Sequence, residues 1–140
     1  MDCGEIRVLL DLDRCISCGA CTDACPSARY GGVIPDEGVA SVIGGKVPDR
    51  IWDCLMCHRC SMACPQEIDV AEMMTLLRSI SDDIPERYLR TAVQVYRTGR
   101  TVTASKRTAS QRESLGLLPA GDADTDELRP VLDREGWPRE

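Results

Sequence analysis

This sequence predicts a mainly α fold, on three observations. One cysteine run occurs twice, as CISCGACTDACP and CLMCHRCSMACP, 39 residues apart from Cys15 to Cys54. The segments that follow the runs carry helix starts and stops, and those after the second run carry apolar stripes at helical spacing. From Gly99 the chain turns polar and rich in small residues, the composition of a linker or arm rather than of a core.

Cys15, Cys18, Cys21 and Cys25 precede Pro26, and Cys54, Cys57, Cys60 and Cys64 precede Pro65. Both read C-x-x-C-x-x-C-x-x-x-C-P, the run of bacterial-type [4Fe-4S] ligation. Two-residue gaps let a short loop bend round a cubane, aim three thiolates at three irons and turn backbone N–H groups toward the sulfurs. The proline resists continuation of the local helix and pushes the fourth cysteine toward extended geometry. In two-cluster proteins that fourth cysteine serves the other cluster. The expected ligand sets are therefore Cys15, Cys18, Cys21 and Cys64 for cluster one, and Cys54, Cys57, Cys60 and Cys25 for cluster two. Such crossing ties the halves together and sets the clusters side by side for electron hopping.

Zinc needs four ligands per ion and gains nothing from the third evenly spaced cysteine or from the proline. Disulfides fit poorly with an odd total of nine cysteines. The opening stretch, MDCGEIRVLLDLDR, has no basic start, long apolar segment or small-residue cleavage site, so a secretory leader is not expected there. So many thiols point to a reducing cytoplasm.

At 140 residues, this is one domain's worth of chain plus a tail. There is no Phe, and eight of the nine cysteines are committed to metal, so the core is small. A net charge of −6 argues against nucleic-acid binding. The longest apolar run, Met73 to Leu77, is interrupted by Thr75 and far too short for a membrane span. Neither nucleic acid nor membrane is expected as a partner.

Taken in order, Pro35 with Asp36 and Glu37 reads as a helix start and Gly44-Gly45 as its stop. Gly38 weakens that helix, and its Val and Ile content keeps a strand open. Asp69 caps a second helix, with Glu72 completing a capping-box pattern. Val70, Met73, Met74, Leu77 and Ile80 then share one face. Pro85 opens a third, whose Tyr88, Leu89, Ala92, Val93 and Tyr96 form a stripe expected to pack as core, with Gly99 as its stop. Helices flanking the cysteine runs indicate a helical ferredoxin rather than the small β-hairpin type. The expected division is a helical two-cluster domain over residues 1–98 and an extended C-terminal arm with a short helix over residues 99–140. In that arm, Leu115 to Pro119 and Val131, Leu132 and Trp137 are apolar islands suited to docking on a partner.

Cys3 lies far from either run and reads as a free thiol. His58, the single histidine, cannot make a Rieske-type site, which needs two; it is expected near cluster two or facing solvent. Ile51 and Trp52 are expected to pack over a cluster and exclude water. Asp53 and Glu67, beside ligands, slightly favour the oxidised state. No glycine loop for phosphate and no nucleophile–base pair is present, so no catalytic residue is assigned.

The flanks of the runs carry a more specific likeness. CGACTDACPS, the tryptophan-led IWDCLMCHRC, and CPQEIDV leading into an apolar helix resemble the C subunit of the heterodisulfide reductases of methanogenic archaea, over about residues 10–98. The resemblance implies a cytoplasmic electron-relay component of an oxidoreductase complex. It would carry electrons from the flavin-containing, bifurcating A subunit to the catalytic B subunit, whose CCG segments hold the clusters that reduce CoM-S-S-CoB in methanogenesis. It also implies a hydrogenase or a formate dehydrogenase as indirect donor. This chain has no adjacent Cys-Cys pair and no cysteine after Cys64, so it carries the relay and not the catalytic segments. Two other functions share the cysteine runs: the iron–sulfur subunit of another dehydrogenase or quinone-linked complex, and a free-standing two-cluster ferredoxin.

If metal binding supplies much of the folding free energy, as in other small metal-dependent domains, chelator treatment should abolish most far-UV helicity. A metal-free sample that kept full helicity and a cooperative melt would contradict this.

Overall fold

The computed structural model describes residues 1–102, 105–121 and 123–138. Among these there is no strand, and no helix is long and apolar enough to cross a membrane. The chain forms two compact units, Met1–Ile84 and Pro85–Glu140. This division lies one helix before the change of composition at Gly99.

In the first unit, α1 (Cys3–Leu9) opens with a full capping box: Asp2 accepts the Glu5 N–H at 2.9 Å, and Glu5 accepts the Asp2 N–H at 2.8 Å. The D-x-x-E signal was present in the sequence, but this helix was not among those expected. A 3₁₀ turn (Leu12–Arg14) leads into the first cysteine run, which contains the short α2 (Ala20–Asp23). The expected helix after that run forms as α3 (Pro35–Ile43), with Pro35 in the first turn and Gly44 at its C-cap. The strand alternative is thereby excluded. Gly38 has a packing reason: a Cβ there would stand 3.2 Å from the Met74 Cε and 3.7 Å from the Met73 Cε. Its bare backbone lets Met73 and Met74, on the helix after the second cysteine run, lie against α3.

A second 3₁₀ turn (Ile51–Asp53) leads into the second run and α4 (Arg59–Ala63). Then α5 (Val70–Ser79) begins where Asp69 accepts the Glu72 N–H at 3.0 Å. Helix α1 packs on α3 and α5, and α2 packs on α4. The core they enclose is built from Ile6, Leu12, Val39, Val42, Met73 and Leu77, all essentially without solvent contact. Each such side chain contributes about 1.5–3 kcal/mol on burial.

The second unit holds α6 (Glu86–Thr98), α7 (Lys106–Ser114) and α8 (Leu128–Arg134). Helix α6 ends, as expected, at Gly99, whose φ of 67° only glycine adopts freely. Its apolar stripe was expected to be core, yet no residue of α6 is buried. The reason is what covers it: α8 packs along it, with Tyr96 OH donating to Asp133 (3.0 Å), and beyond α8 Trp137 Nε1 donates to Ala92 O (2.8 Å). The apolar islands of the tail separate accordingly. Leu132 is buried, whereas Leu115 and Leu118 remain 72% and 81% exposed.

Leu77→Ala should destabilise the cluster-loaded protein by about 2–5 kcal/mol, read from denaturant midpoints. Val8→Ala, at a side chain 80% exposed, should stay within about 0.5 kcal/mol of the parent.

Candidate metal centres

The two cysteine runs fold as backbone copies of each other. Left-handed φ values recur at the 39-residue offset: Asp11 and Arg50 (50° and 60°), Ser17 and Met56 (53° and 51°), Gly19 and His58 (74° and 58°). The first pair launches the 3₁₀ turns that precede Cys15 and Cys54. The other two pairs bend the loops round their cysteines. The structural repeat thus begins before the cysteines, at positions whose residue types, Asp and Arg, carried no sequence signal. His58 stands where the first run has glycine, in a conformation that L residues adopt at a cost.

Two cavities result, each with about 360 Å³ of space free of protein atoms, part of it continuous with solvent. The first is lined by Cys15, Cys18, Cys21 and Cys64. Cys25, Cys54, Cys57 and Cys60 line the second. Each cavity therefore gathers three cysteines of one run and the last of the other. Its remaining walls are mainly apolar, with Ile16, Ile68 and Val70 round the first and Val33, Pro35 and Met74 round the second. Cys25 and Cys60 are buried, whereas Cys18 and Cys57 are exposed, so each cavity has one cysteine at the protein surface.

A soft, all-thiol donor set around an apolar space suits an iron–sulfur cluster. Among the described residues no three His, Cys, Asp or Glu side chains converge on one point as a single metal ion requires. The donors instead surround a volume. Met56 N–H points at Cys54 Sγ (3.4 Å), the kind of amide–sulfur contact expected of such a loop. As free thiols Cys21 and Cys60 resist ionisation. Burial, and then the Asp36 carboxylate, pushes Cys21 up to about 11, and burial above all raises Cys60. Loading with metal must therefore displace protons from them.

Two hydroxyls missed in the sequence fix the cysteine loops to the helices that follow. Thr22, next to Cys21, donates to Asp36 Oδ1 (2.6 Å) and accepts the Asp36 N–H (3.1 Å). Its counterpart Ser61, next to Cys60, donates to Asp69 Oδ1 (2.7 Å) and accepts the Ala71 N–H (3.0 Å). The Ser61 hydroxyl, followed by the Glu72 N–H, holds the Asp69 carboxyl below the usual carboxylate range. A hydroxyl one residue after the third cysteine, with an aspartate near the next helix start, was the available signal.

Other expected positions fall out differently. His58 lines the second cavity while remaining exposed. Ile51 is buried, but neither it nor Trp52 lines a cysteine cavity. Trp52 is covered instead by the Arg78 guanidinium, 5.1 Å from the ring centre. Arg78 also donates to Ile51 O (3.0 Å) and Cys54 O (2.7 Å), which claims the Trp52 face that was expected over a cluster. Cys3 is buried in the α1 packing, its thiol raised by that burial, and lines neither cavity.

Ser61→Ala removes both contacts of that hydroxyl and should cost about 1 kcal/mol. It should also hasten iron loss to a chelator, whereas Ser61→Thr should restore both. Denaturation and chelator-release kinetics of the loaded protein check this.

Residues 7–65 match the 4Fe-4S dicluster domain family. The chain is 33% identical to the C2 subunit of the H(2)/formate:CoB-CoM heterodisulfide,ferredoxin reductase of Methanococcus maripaludis, over 91% of this chain and 76% of that protein. It is 31% identical to the C subunit of the ferredoxin:CoB-CoM heterodisulfide reductase of Methanosarcina mazei, over 79% of this chain and 73% of that one. It is 28% identical to the iron-sulfur C 2 subunit of the CoB--CoM heterodisulfide reductase of Methanocaldococcus jannaschii, over 89% and 74%. With its two cysteine-lined cavities and this shared sequence, the chain belongs to the C-subunit family of heterodisulfide reductases, iron–sulfur components of oxidoreductase complexes.

Proposed function

We propose that this chain is the electron relay of a heterodisulfide reductase, with two [4Fe-4S] clusters and no substrate site of its own. Cys15, Cys18, Cys21 and Cys64 hold one cluster, and Cys54, Cys57, Cys60 and Cys25 hold the other. The observation that carries the reading is the composition of the two cavities, each walled by four thiols drawn from both runs. When bound, each cubane supplies one-electron storage at a potential set by charge, hydrogen bonding and exposure.

The chain's own residues supply the rest. Apolar walls such as Val33, Met74, Ile68 and Val70 keep water from the sulfurs. Exposed Cys18 and Cys57 bring one edge of each site to the surface, where a redox partner can approach. Partners follow from the family: the donor is a flavin-containing A subunit, and CoM-S-S-CoB is reduced at a CCG-containing B subunit. A hydrogenase or formate dehydrogenase feeds the flavin, and the assembly is cytoplasmic. The division of labour proposed from sequence, a cluster-binding domain over residues 1–98 and a docking arm over residues 99–140, belongs to the same reading. Leu115, Leu117 and Leu118 are among the exposed apolar side chains available to such an arm.

Paired substitutions test the ligand sets. Cys25→Ala with Cys57→Ala strikes one cubane twice and should leave half the parent's iron and sulfide after anaerobic loading. Cys25→Ala with Cys18→Ala strikes both and should leave almost none. The reverse result would assign each fourth cysteine to its own run, and a parent that binds fewer than two cubanes would sink the relay.

A further inference from the structure

The two sites are copies in backbone and opposites in fixed charge. At the first, the Asp36 carboxylate lines the cavity. It is half-buried, held by the Thr22 hydroxyl (2.6 Å) and the Glu37 N–H (2.9 Å), and forms no ion pair among the described residues. Its counterpart Asp69 does not line the second cavity.

At the second site a cation is built onto the ligand loop. Half-buried Arg78 donates through Nη2 to Cys54 O (2.7 Å) and through Nε and Nη2 to Ile51 O (3.2 and 3.0 Å), with its guanidinium over Trp52. Three hydrogen bonds and a ring contact fix that charge on the backbone of Cys54, whose side chain faces the cavity.

Two charge pairs beside the ligands cancel. Arg14, next to Cys15, pairs with Asp11 (3.8 Å), and Asp53, next to Cys54, pairs with Arg50 (2.8 Å). These are the same two positions of the repeat with signs reversed, each pair solvent-exposed and therefore weakly felt. Asp36 and Arg78 form no ion pair among the described residues.

We propose that Asp36 and Arg78 give the relay its direction: Asp36 makes the Cys15/Cys18/Cys21/Cys64 site the lower-potential one, and Arg78 makes the Cys25/Cys54/Cys57/Cys60 site the higher. Reduction adds one negative charge, which a neighbouring carboxylate disfavours and a guanidinium fixed on the ligand backbone favours. An electron delivered to the first site then passes to the second and rests there, one site oxidised as the other is reduced. The inference rests on the two-cluster reading above.

EPR-monitored redox titration of the full chain, loaded anaerobically, tests it. The parent should show two midpoints. Asp36→Asn should raise the lower one and leave the upper in place. Arg78→Gln should lower the upper one and leave the lower. Each shift should be of the order of a tenfold change in electron partition, about 59 mV for one electron. Arg78→Lys keeps the charge and should hold the upper midpoint near the parent's. The proposal is overturned if Asp36→Asn moves the upper midpoint, if Arg78→Gln moves the lower, if neither moves, or if Arg78→Lys shifts as far as Arg78→Gln. Should Arg78→Gln fail to load its cubane, Asp36→Asn and Arg78→Lys still decide. A parent lacking two cubanes would instead sink the relay itself.

Discussion

Each cavity can be closed only by bringing together cysteines from two runs that lie 39 residues apart, and the rest of the first unit is arranged to hold that crossing. The chain leaves Cys25 and Cys64 through prolines, which stop the local helices and send each fourth thiol to the opposite cavity. Further contacts tie the halves directly. Ser27, buried just after Pro26, donates to Asp53 O at 2.8 Å. Arg78, from α5, holds the backbone of Ile51 and Cys54. Packing of α2 on α4 places the two loops back to back. The helical layer of α1, α3 and α5 supplies the apolar body against which this arrangement is rigid.

The duplicated loops show which features the geometry demands and which are free to vary. Backbone turns recur at equivalent positions even where the residue types differ, because the path round four thiols fixes φ and ψ more tightly than it fixes side chains. The hydroxyl latches recur as well, as Thr22 with Asp36 and Ser61 with Asp69. Charge does not recur: the Asp11–Arg14 pair faces its mirror Arg50–Asp53, and Arg78 serves one loop only. A loop built twice around four thiols keeps its backbone and is free to vary its electrostatics.

The second unit follows a different economy. Its longest helix presents a strongly amphipathic stripe that α8 covers only in part. Polar anchors do much of the holding there, among them Trp137 to Ala92 O and Arg129 to the carbonyls of Tyr96 and Arg97. With Leu132 its one buried large apolar side chain among the described residues, this unit draws little from burial. Local opening should therefore cost least here.

The cysteine spacing by itself pointed to iron–sulfur chemistry and to the mixed grouping of thiols that lines each cavity, because cubane ligation imposes short fixed gaps that few other functions need. Proline, glycine and capping residues likewise set α3, α5 and α6 in the sequence, since their effects act within a turn of the chain. Only the tertiary structure decided the rest. It gave Gly38 a partner in Met74, left the α6 stripe half covered, and turned Trp52 from the cavities toward Arg78. It also assembled the opposed charges of Asp36 and Arg78 round the two sites. Those outcomes depend on which residues distant in sequence meet across the core, and no local spacing encodes that meeting.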